Sequence, residues 1–143
     1  MTVEWSFLKL LMLGMGFHEK WVDLMMMCIT TVSYSLLING EHTEKIILSR
    51  GIRQGDPLSP FLFLFCTEGL HSLLRHAAES DHIRGISICR EGPRLTHLFF
   101  ADDSILFCRA STSECSKILN ILGSYERASG QQLNKSKTPL FFS

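Results

Sequence analysis

The chain has 143 residues, of which 45% are hydrophobic and 20% are charged. This balance is typical of one globular domain with a real core and excludes an intrinsically disordered chain. Fourteen basic residues balance fourteen acidic ones, which argues against a free-standing nucleic-acid-binding protein, because such proteins carry a basic excess.

The first third of the chain reads as two helices followed by a hairpin. Apolar residues at helical spacing predict helices over Val3 to Met15 and over Trp21 to Thr30. The spacing of apolar residues then changes from the helical to the strand pattern, which predicts strands over Ser33 to Asn39 and Lys45 to Ser49. The dipeptide Asn39-Gly40 favours a hairpin turn between them.

A long helix and three strands are predicted next. The helix covers Ser59 to Ala78, and its first two turns are apolar nearly all round, which predicts deep burial. Ile86 to Cys89 forms a short strand. Leu95 to Ala101 and Ser104 to Cys108 form two more, separated only by Asp102-Asp103, which we expect to occupy a tight turn.

The last predicted helix has a clear start signal. Ser111 is followed three residues later by Glu114, which is a capping box, and the helix stops near Gly130. Leu133 to Phe142 is predicted to supply a final strand. Helices mixed with antiparallel hairpins indicate an α+β fold.

The five cysteines are widely spaced and include no Cys-x-x-Cys pair. We interpret them as buried, reduced thiols of an intracellular protein, nuclear or cytoplasmic, with no zinc site and no disulfide-linked partner. The most apolar stretch, Leu58 to Cys66, is far shorter than the roughly 20 residues of a membrane span. Glu4 before the first apolar run argues against a signal peptide, so no membrane partner is predicted.

The segment Leu98 to Phe107, LFFADDSILF, joins two hydrophobic runs at Asp102 and Asp103. One interpretation is a plain hairpin with a polar tip. The other is a metal site, since carboxylates at strand ends hold Mg²⁺, which then clamps the phosphates of a nucleotide. Ala101 is small enough to let a primer terminus approach. Repulsion between adjacent carboxylates slightly favours the metal site.

The segment Ser49 to Pro60, SRGIRQGDPLSP, also has two interpretations. Asp56 or Ser59 as a helix N-cap, each followed by proline, accounts for its second half. This helix-start interpretation does not account for Arg50, Arg53 and Gln54 around the two glycines just upstream. Such a turn next to a helix N-terminus suits phosphate and nucleotide contacts.

A third segment, Ser129 to Thr138, SGQQLNKSKT, indicates by its chemistry alone a helix C-cap followed by a solvated basic strand. Together, however, R-Q-G-D-P-L-S-P, F-A-D-D and S-G-x-x-L-N-x-x-K-T resemble the LINE-type (non-LTR) reverse transcriptases, most of all the version abundant in plant genomes. The resemblance runs nearly end to end and includes VEWSFL, GFHEKWV, SYSLLING and RLTHLFFADD.

This resemblance implies a polymerase palm with an Asp-Asp hairpin in an antiparallel sheet packed on helices. It implies RNA-directed DNA polymerase chemistry at a two-metal Mg²⁺ site, with an RNA template, a DNA primer and dNTP as partners. Asp102 matches the main metal-binding aspartate, and Asp103 its neighbour. The residues that the resemblance assigns to the nucleotide and template pocket are Arg53, Gln54, Gly55 and Lys137. We expect Gln54 and Gly55 to face Asp102 across one cleft.

The chain also departs from the family pattern. In the family, V-E-W-S-F-L follows a strand of the type D-x-x-x-A-Y-D-R, whose first aspartate bridges both metals, whereas here only Met1 and Thr2 precede Val3. We therefore expect residues 1–143 to form a partial reverse transcriptase domain, an incomplete palm without fingers, first catalytic strand and thumb. The alternative is a catalytically inactive retrotransposon remnant with at most weak nucleic-acid binding.

Overall fold

Helices alternate with short antiparallel strand pairs along the chain, which confirms the α+β class. The computed structural model describes residues 2–53, 55–90, 92–101, 103–132, 134, 138–139 and 141. Within these ranges the helices are α1 (Trp5–Gly14), α2 (Glu19–Thr30), α3 (Ser59–Glu79) and α4 (Thr112–Ser129). The strands are β1 (Ser33–Tyr34), β2 (Leu37–Ile38), β3 (Glu41–His42), β4 (Ile46–Ile47), β5 (Ile86–Ser87), β6 (Arg94–Leu95), β7 (His97–Phe100) and β8 (Asp103–Leu106). The chain divides into two compact units, Met1–Phe65 and Cys66–Ser143.

In the first unit, α1 packs against α2. The first helix buries Leu8 and Met12, which lie one turn apart on the same face, and the second buries Val22. Both predicted helices are confirmed with shifted starts. The second begins at Glu19 because the His18 ring caps it, accepting the backbone N–H of Lys20 at 3.2 Å.

The predicted hairpin of the first unit is confirmed, but its strands are not continuous. Asn39 and Gly40 both have positive φ, 52° and 87°, as a two-residue type I′ turn requires. They join β2 to β3, while β1 pairs with β4 farther from the turn. Between these two pairings, Thr43 donates its N–H to the Leu36 carbonyl and accepts the Leu36 N–H on its hydroxyl, both at 2.8 Å. The side chain of Thr43 thus replaces a ladder bond where the regular pairing breaks.

The second unit has its core between the later part of α3, helix α4 and the β7–β8 hairpin. Its buried core residues are Leu74, Ala77, Ile83 and Ile118. The partly buried residues that pack against them are Leu70, Phe99, Leu106, Cys108, Ile121 and Leu122. The strands β5 and β6 form a separate antiparallel pair. Gly85, at φ 61° just before β5, lies so close to the strand opposite that a Cβ there would be 2.2 Å from the Leu95 carbonyl oxygen.

At the start of α4, only one of the two hydrogen bonds of the predicted capping box is present. Ser111 Oγ accepts the Glu114 N–H at 3.3 Å, as expected. The Glu114 carboxylate does not return that bond. Its Oε2 instead accepts the backbone N–H groups of Arg84 at 3.2 Å and Arg109 at 3.1 Å. Glu114 therefore holds two neighbouring loops, and the helix ends at Gly130 with φ 73°, as predicted.

Two predictions of burial are wrong. Of the first turns of α3, Leu62 and Cys66 are buried, but Phe61 and Leu64 are exposed, because described residues cover only one face of this helix. Among the cysteines only Cys66 is buried; Cys108 is half-buried, and the exposed ones are Cys28, Cys89 and Cys115. An apolar neighbourhood in sequence did not determine which face these residues occupy.

Two further expectations concerned a final strand and a membrane span. The predicted final strand, Leu133 to Phe142, lies largely outside them. Within the described ranges, no helix is both long enough and apolar enough to cross a membrane.

Candidate functional site

The glycine-containing loop after β4 is anchored to the start of α1 by two hydrogen bonds to the backbone of Gly51. The Gly51 N–H donates to the Val3 carbonyl at 2.8 Å, and the Trp5 indole Nε1 donates to the Gly51 carbonyl at 2.8 Å. Gly51 has a φ of 94°, a conformation that glycine adopts without a Cβ penalty. These contacts fix the loop just upstream of Arg53, and sequence reasoning assigned no role to Trp5.

Arg53 is held by one contact of its backbone and one contact of its side chain. Its carbonyl accepts a hydrogen bond from the Ser59 hydroxyl at the start of α3. Its guanidinium carbon lies 5.7 Å from the centre of the Tyr34 ring, within cation–π range. The pairing with Tyr34 bridges 19 positions of sequence, and no local spacing predicts it. Arg53 therefore presents a positive charge beside the N-terminus of a long helix.

Asp56 has a structural role in this loop. Its Oδ1 accepts the Leu58 N–H at 2.8 Å, and its carbonyl accepts the Ser59 N–H at 3.1 Å. The carboxylate thus closes a turn that leads into α3, which agrees with the helix-start interpretation. Gly55, just before it, has a φ of 83° with open space around it.

A cleft lies beside this loop. Its lining includes Trp5, Tyr34, Arg53, Asp56 and Ser59, with apolar residues such as Ile29, Leu48 and Leu62 behind them. It encloses about 20 Å³, which is room for about one water molecule. Since small-molecule sites occupy roughly 300 Å³ or more, the enclosed part of this cleft is too small for a ligand of that size.

In the second unit, β7 and β8 pair in one register. His97 lies opposite Leu106, Leu98 opposite Ile105, Phe99 opposite Ser104 and Phe100 opposite Asp103. Strand residues alternate between faces, so Phe99 and Leu106 face the core. The other face carries Asp103 together with exposed apolar side chains: Leu98, Phe100 and Ile105 are 48%, 83% and 57% exposed.

The expected position of Asp103 in the turn is wrong. Asp103 is the first residue of β8 and is paired with Phe100. Ala101, which follows β7, has a φ of 49°, a left-handed conformation that is uncommon for residues other than glycine. Because the ladder extends to Asp103, the exposed carboxylate is held by strand backbone rather than by a free loop.

Two histidines to which the sequence analysis assigned no role, His71 of α3 and His97 of β7, lie in contact in the second unit. His71 Nδ1 and His97 Nε2 are 2.7 Å apart, and the other nitrogen of His97 lies 2.9 Å from the Thr96 hydroxyl. Burial, and secondly the neighbouring His71, lower the pKa of His97, while Glu68 partly opposes the shift. The two residues are 26 positions apart in the sequence, so no local spacing predicts that they are in contact.

Three predicted site residues, Gln54, Asp102 and Lys137, lie outside the described residues, and so does the expected cleft between Gln54 and Asp102. The structure brings Arg53 and Gly55 into one loop, and Ala101 and Asp103 into one hairpin. In the part of the chain that the structure describes, no group of three or more His, Cys, Asp or Glu side chains could hold a metal ion.

The chain matches known proteins along nearly all of its length. The sequence pattern of the family described as reverse transcriptase (RNA-dependent DNA polymerase) matches residues 1–142. The chain belongs to the reverse transcriptase family. Within that family its relatives include the Pol polyprotein of the type-1 retrotransposable element R2 of the beetle Popillia japonica, which agrees with the non-LTR retrotransposon type inferred from the motifs.

The chain is 30% identical to one R2 polyprotein of Popillia japonica over 126 residues, which is 88% of this chain and 20% of that protein. A second R2 polyprotein of the same species is 35% identical over 99 residues, 69% of this chain and 13% of the relative. An uncharacterised mitochondrial protein of Arabidopsis thaliana is 50% identical over 68 residues, 48% of this chain and 56% of the relative. The chain thus spans about half the length of the Arabidopsis thaliana protein and a fifth or less of the two Popillia japonica proteins.

Proposed function

We propose that this chain supplies the central palm segment of an RNA-directed DNA polymerase, with the metal-binding hairpin at Asp102 and Asp103. The observation that supports the proposal is the register of β7 and β8, in which Asp103 pairs with Phe100, within a chain that matches the family over residues 1–142. Two rigid strands restrict where a carboxylate at their tip can move. The partners are an RNA template, a DNA primer and dNTP.

The loop of the first unit is proposed to bind the nucleotide and the template. Arg53, fixed between Tyr34 and Ser59, offers a cation for phosphate contact without losing much side-chain freedom on binding. Gln54 and Gly55 continue the same loop, and Lys137 is proposed to contact the triphosphate. Ala101 has no side chain beyond Cβ and leaves room for the primer terminus at the hairpin.

The proposed metal ions are Mg²⁺, and the donor chemistry fits them only in part. Asp103 offers an exposed carboxylate, the hard oxygen ligand that Mg²⁺ prefers. A two-metal site needs several such oxygens converging on ions about 4 Å apart, and the described residues contain no such group. When bound, the ions would supply charge stabilisation for nucleotidyl transfer. The chain's own contribution is to orient Asp102 and Asp103 at the hairpin.

The first test is primer extension by the chain of residues 1–143 alone. The purified chain is given an RNA template annealed to a DNA primer, dNTP and Mg²⁺, beside an Asp102→Ala variant. We expect no extension above the variant, because one hairpin supplies too few convergent carboxylates to hold two ions. Extension by the wild-type chain that Asp102→Ala abolishes would contradict this expectation.

The second test separates a polymerase segment from an inactive remnant. The chain replaces the matching segment of the beetle R2 polyprotein, and primer extension is measured with Asp102→Ala, Asp103→Asn and, as a surface-acid control, Glu79→Gln. A palm segment restores extension, and Asp102→Ala then lowers it by roughly a hundredfold or more, while Glu79→Gln leaves it unchanged. No extension by a chimaera that folds and binds primer–template would favour the remnant.

The nucleotide-binding role of Arg53 has its own readout. In the chimaera, Arg53→Ala should raise the KM for dNTP, and Arg75→Ala should not, because Arg75 is an exposed arginine already paired with Glu79 at 2.8 Å. Arg53→Lys should fall between them, since it keeps the charge but not the planar contact with Tyr34. Equal KM values for the alanine variants would remove Arg53 from the nucleotide pocket.

A further inference from the structure

Two cysteine sulfurs meet where the β7–β8 hairpin leads into α4. Cys108 follows β8 by two residues, Cys115 lies in the first turn of α4, and their Sγ atoms are 3.9 Å apart. A disulfide bond has an S–S distance of about 2.05 Å, so the sulfurs need to approach by about 2 Å. Cys115 is exposed and Cys108 is half-buried, so Cys115 is the more accessible residue of the pair.

The backbone between these cysteines is already fixed. Ser111 caps α4 through the Glu114 N–H, and the Glu114 carboxylate binds the Arg109 N–H. The pair is therefore brought together by an ordered loop rather than by chance encounters of a loose one. Ordering of this kind raises the effective concentration of one thiol at the other.

We propose that Cys108 and Cys115 are a reversible disulfide-forming modification site, oxidised by a small disulfide such as oxidised glutathione. The inference rests on the geometry of the second unit and is independent of the polymerase role. It differs from the expectation that all cysteines of this chain are buried, reduced thiols.

The chemistry has two exchange steps. The exposed Cys115 thiolate attacks one sulfur of oxidised glutathione, forms a mixed disulfide and releases one glutathione thiolate. The Cys108 thiolate then attacks Cys115 Sγ, forms the Cys108–Cys115 bond and releases the second glutathione thiolate. Each protein thiol gives up one proton, and the two protons end on two reduced glutathione molecules. The two protein sulfurs are oxidised and the small disulfide is reduced.

The order of these steps follows from the surroundings of the two sulfurs. Burial, and then the contact with Cys115 and the charge of Glu114, raise the pKa of Cys108, so its thiolate is scarce at neutral pH. The exposed Cys115 meets the oxidant first. Cys66 is a contrast within the same unit, because it is fully buried and burial raises its pKa to about 12.

The test is a redox titration of the full chain. The protein is equilibrated in mixtures of reduced and oxidised glutathione, with and without urea, and then acid-quenched, alkylated and mapped by peptide mass spectrometry. We expect a Cys108–Cys115 cross-link whose equilibrium constant is at least about tenfold larger for the folded chain than in urea. Cys28→Ser and Cys89→Ser, which remove exposed cysteines elsewhere, should leave that constant unchanged.

The single variants of the pair supply the second readout. Cys108→Ser should trap glutathione on Cys115 as a lasting mixed disulfide, and Cys115→Ser should remove the cross-link. The proposal is overturned if wild-type Cys115 keeps glutathione without forming the cross-link. It is equally overturned if the folded and urea constants agree, or if Cys28 and Cys89 exchange into the bond as readily.

Discussion

Replacing Glu114 by alanine should destabilise the second unit more than any other single change in the first turn of α4. The side chain is only 8% exposed, and its Oε2 accepts the Arg84 and Arg109 N–H groups. A hydrogen bond to a charged group contributes about 1.5–3 kcal/mol. Because the two bonds share one oxygen and burying the carboxylate has its own cost, we expect Glu114→Ala to lower the free energy of unfolding by about 2–4 kcal/mol.

The assay is urea unfolding followed by circular dichroism, together with amide hydrogen exchange at Arg84 and Arg109. Glu114→Gln keeps an acceptor without its charge and should cost about 1–2 kcal/mol. Ser111→Ala removes only the helix cap and should cost about 1 kcal/mol, while the exposed Ser116→Ala should stay within about 0.5 kcal/mol of wild type. If Glu114→Ala also stays within that range and both amides exchange as before, the carboxylate does not hold the two loops.

Three further outcomes follow from the structure. Acidification below pH 6.5 should destabilise the second unit, because the pKa of His97 lies below its usual value of 6.5 in the folded chain and the unfolded chain therefore binds the proton more readily. In thermal melts at a series of pH values, the melting temperature of His97→Gln should depend less on pH than that of the wild type. Gly85→Ala should cost roughly 2–4 kcal/mol, since its Cβ would meet the Leu95 carbonyl at a left-handed φ. Gly40→Ala, with positive φ but open space, should cost only about 1 kcal/mol in the same urea titration, and equal losses would refute the clash. Cys66 should resist alkylation at neutral pH while Cys28 reacts, and equal rates would contradict the burial of Cys66.

Local signals predicted the elements whose geometry depends on neighbouring residues. Asn39-Gly40 predicted its turn because both residues tolerate positive φ. The two hydrophobic runs around Asp102 predicted the β7–β8 pair, since so short a connection leaves antiparallel pairing as the simple solution. Ser111 predicted the start of α4, because a side-chain oxygen there satisfies an N–H that the helix cannot.

Features that depend on residues far apart in the sequence were not predicted from it. Glu114 was expected to bind its own helix start, but tertiary packing offers it the N–H groups of Arg84 and Arg109. The apolar first turns of α3 predicted burial, yet the exposure of Phe61 depends on what lies beside it. Of the candidate site, the sequence named Arg53 but not the contact with Tyr34 that holds it.

The interruption in the first unit's hairpin has a consequence for association between chains. Two residues separate β1 from β2, whereas three, Thr43 to Lys45, separate β3 from β4. Removing one of the three would align both pairings into a single longer, flatter ribbon. That ribbon would carry Leu37 and Ile47, already 64% and 75% exposed, along a regular edge on which another chain could stack. We therefore expect the extra residue to oppose strand-by-strand aggregation and deletion of Glu44 to promote it, which light scattering of the purified variant would detect.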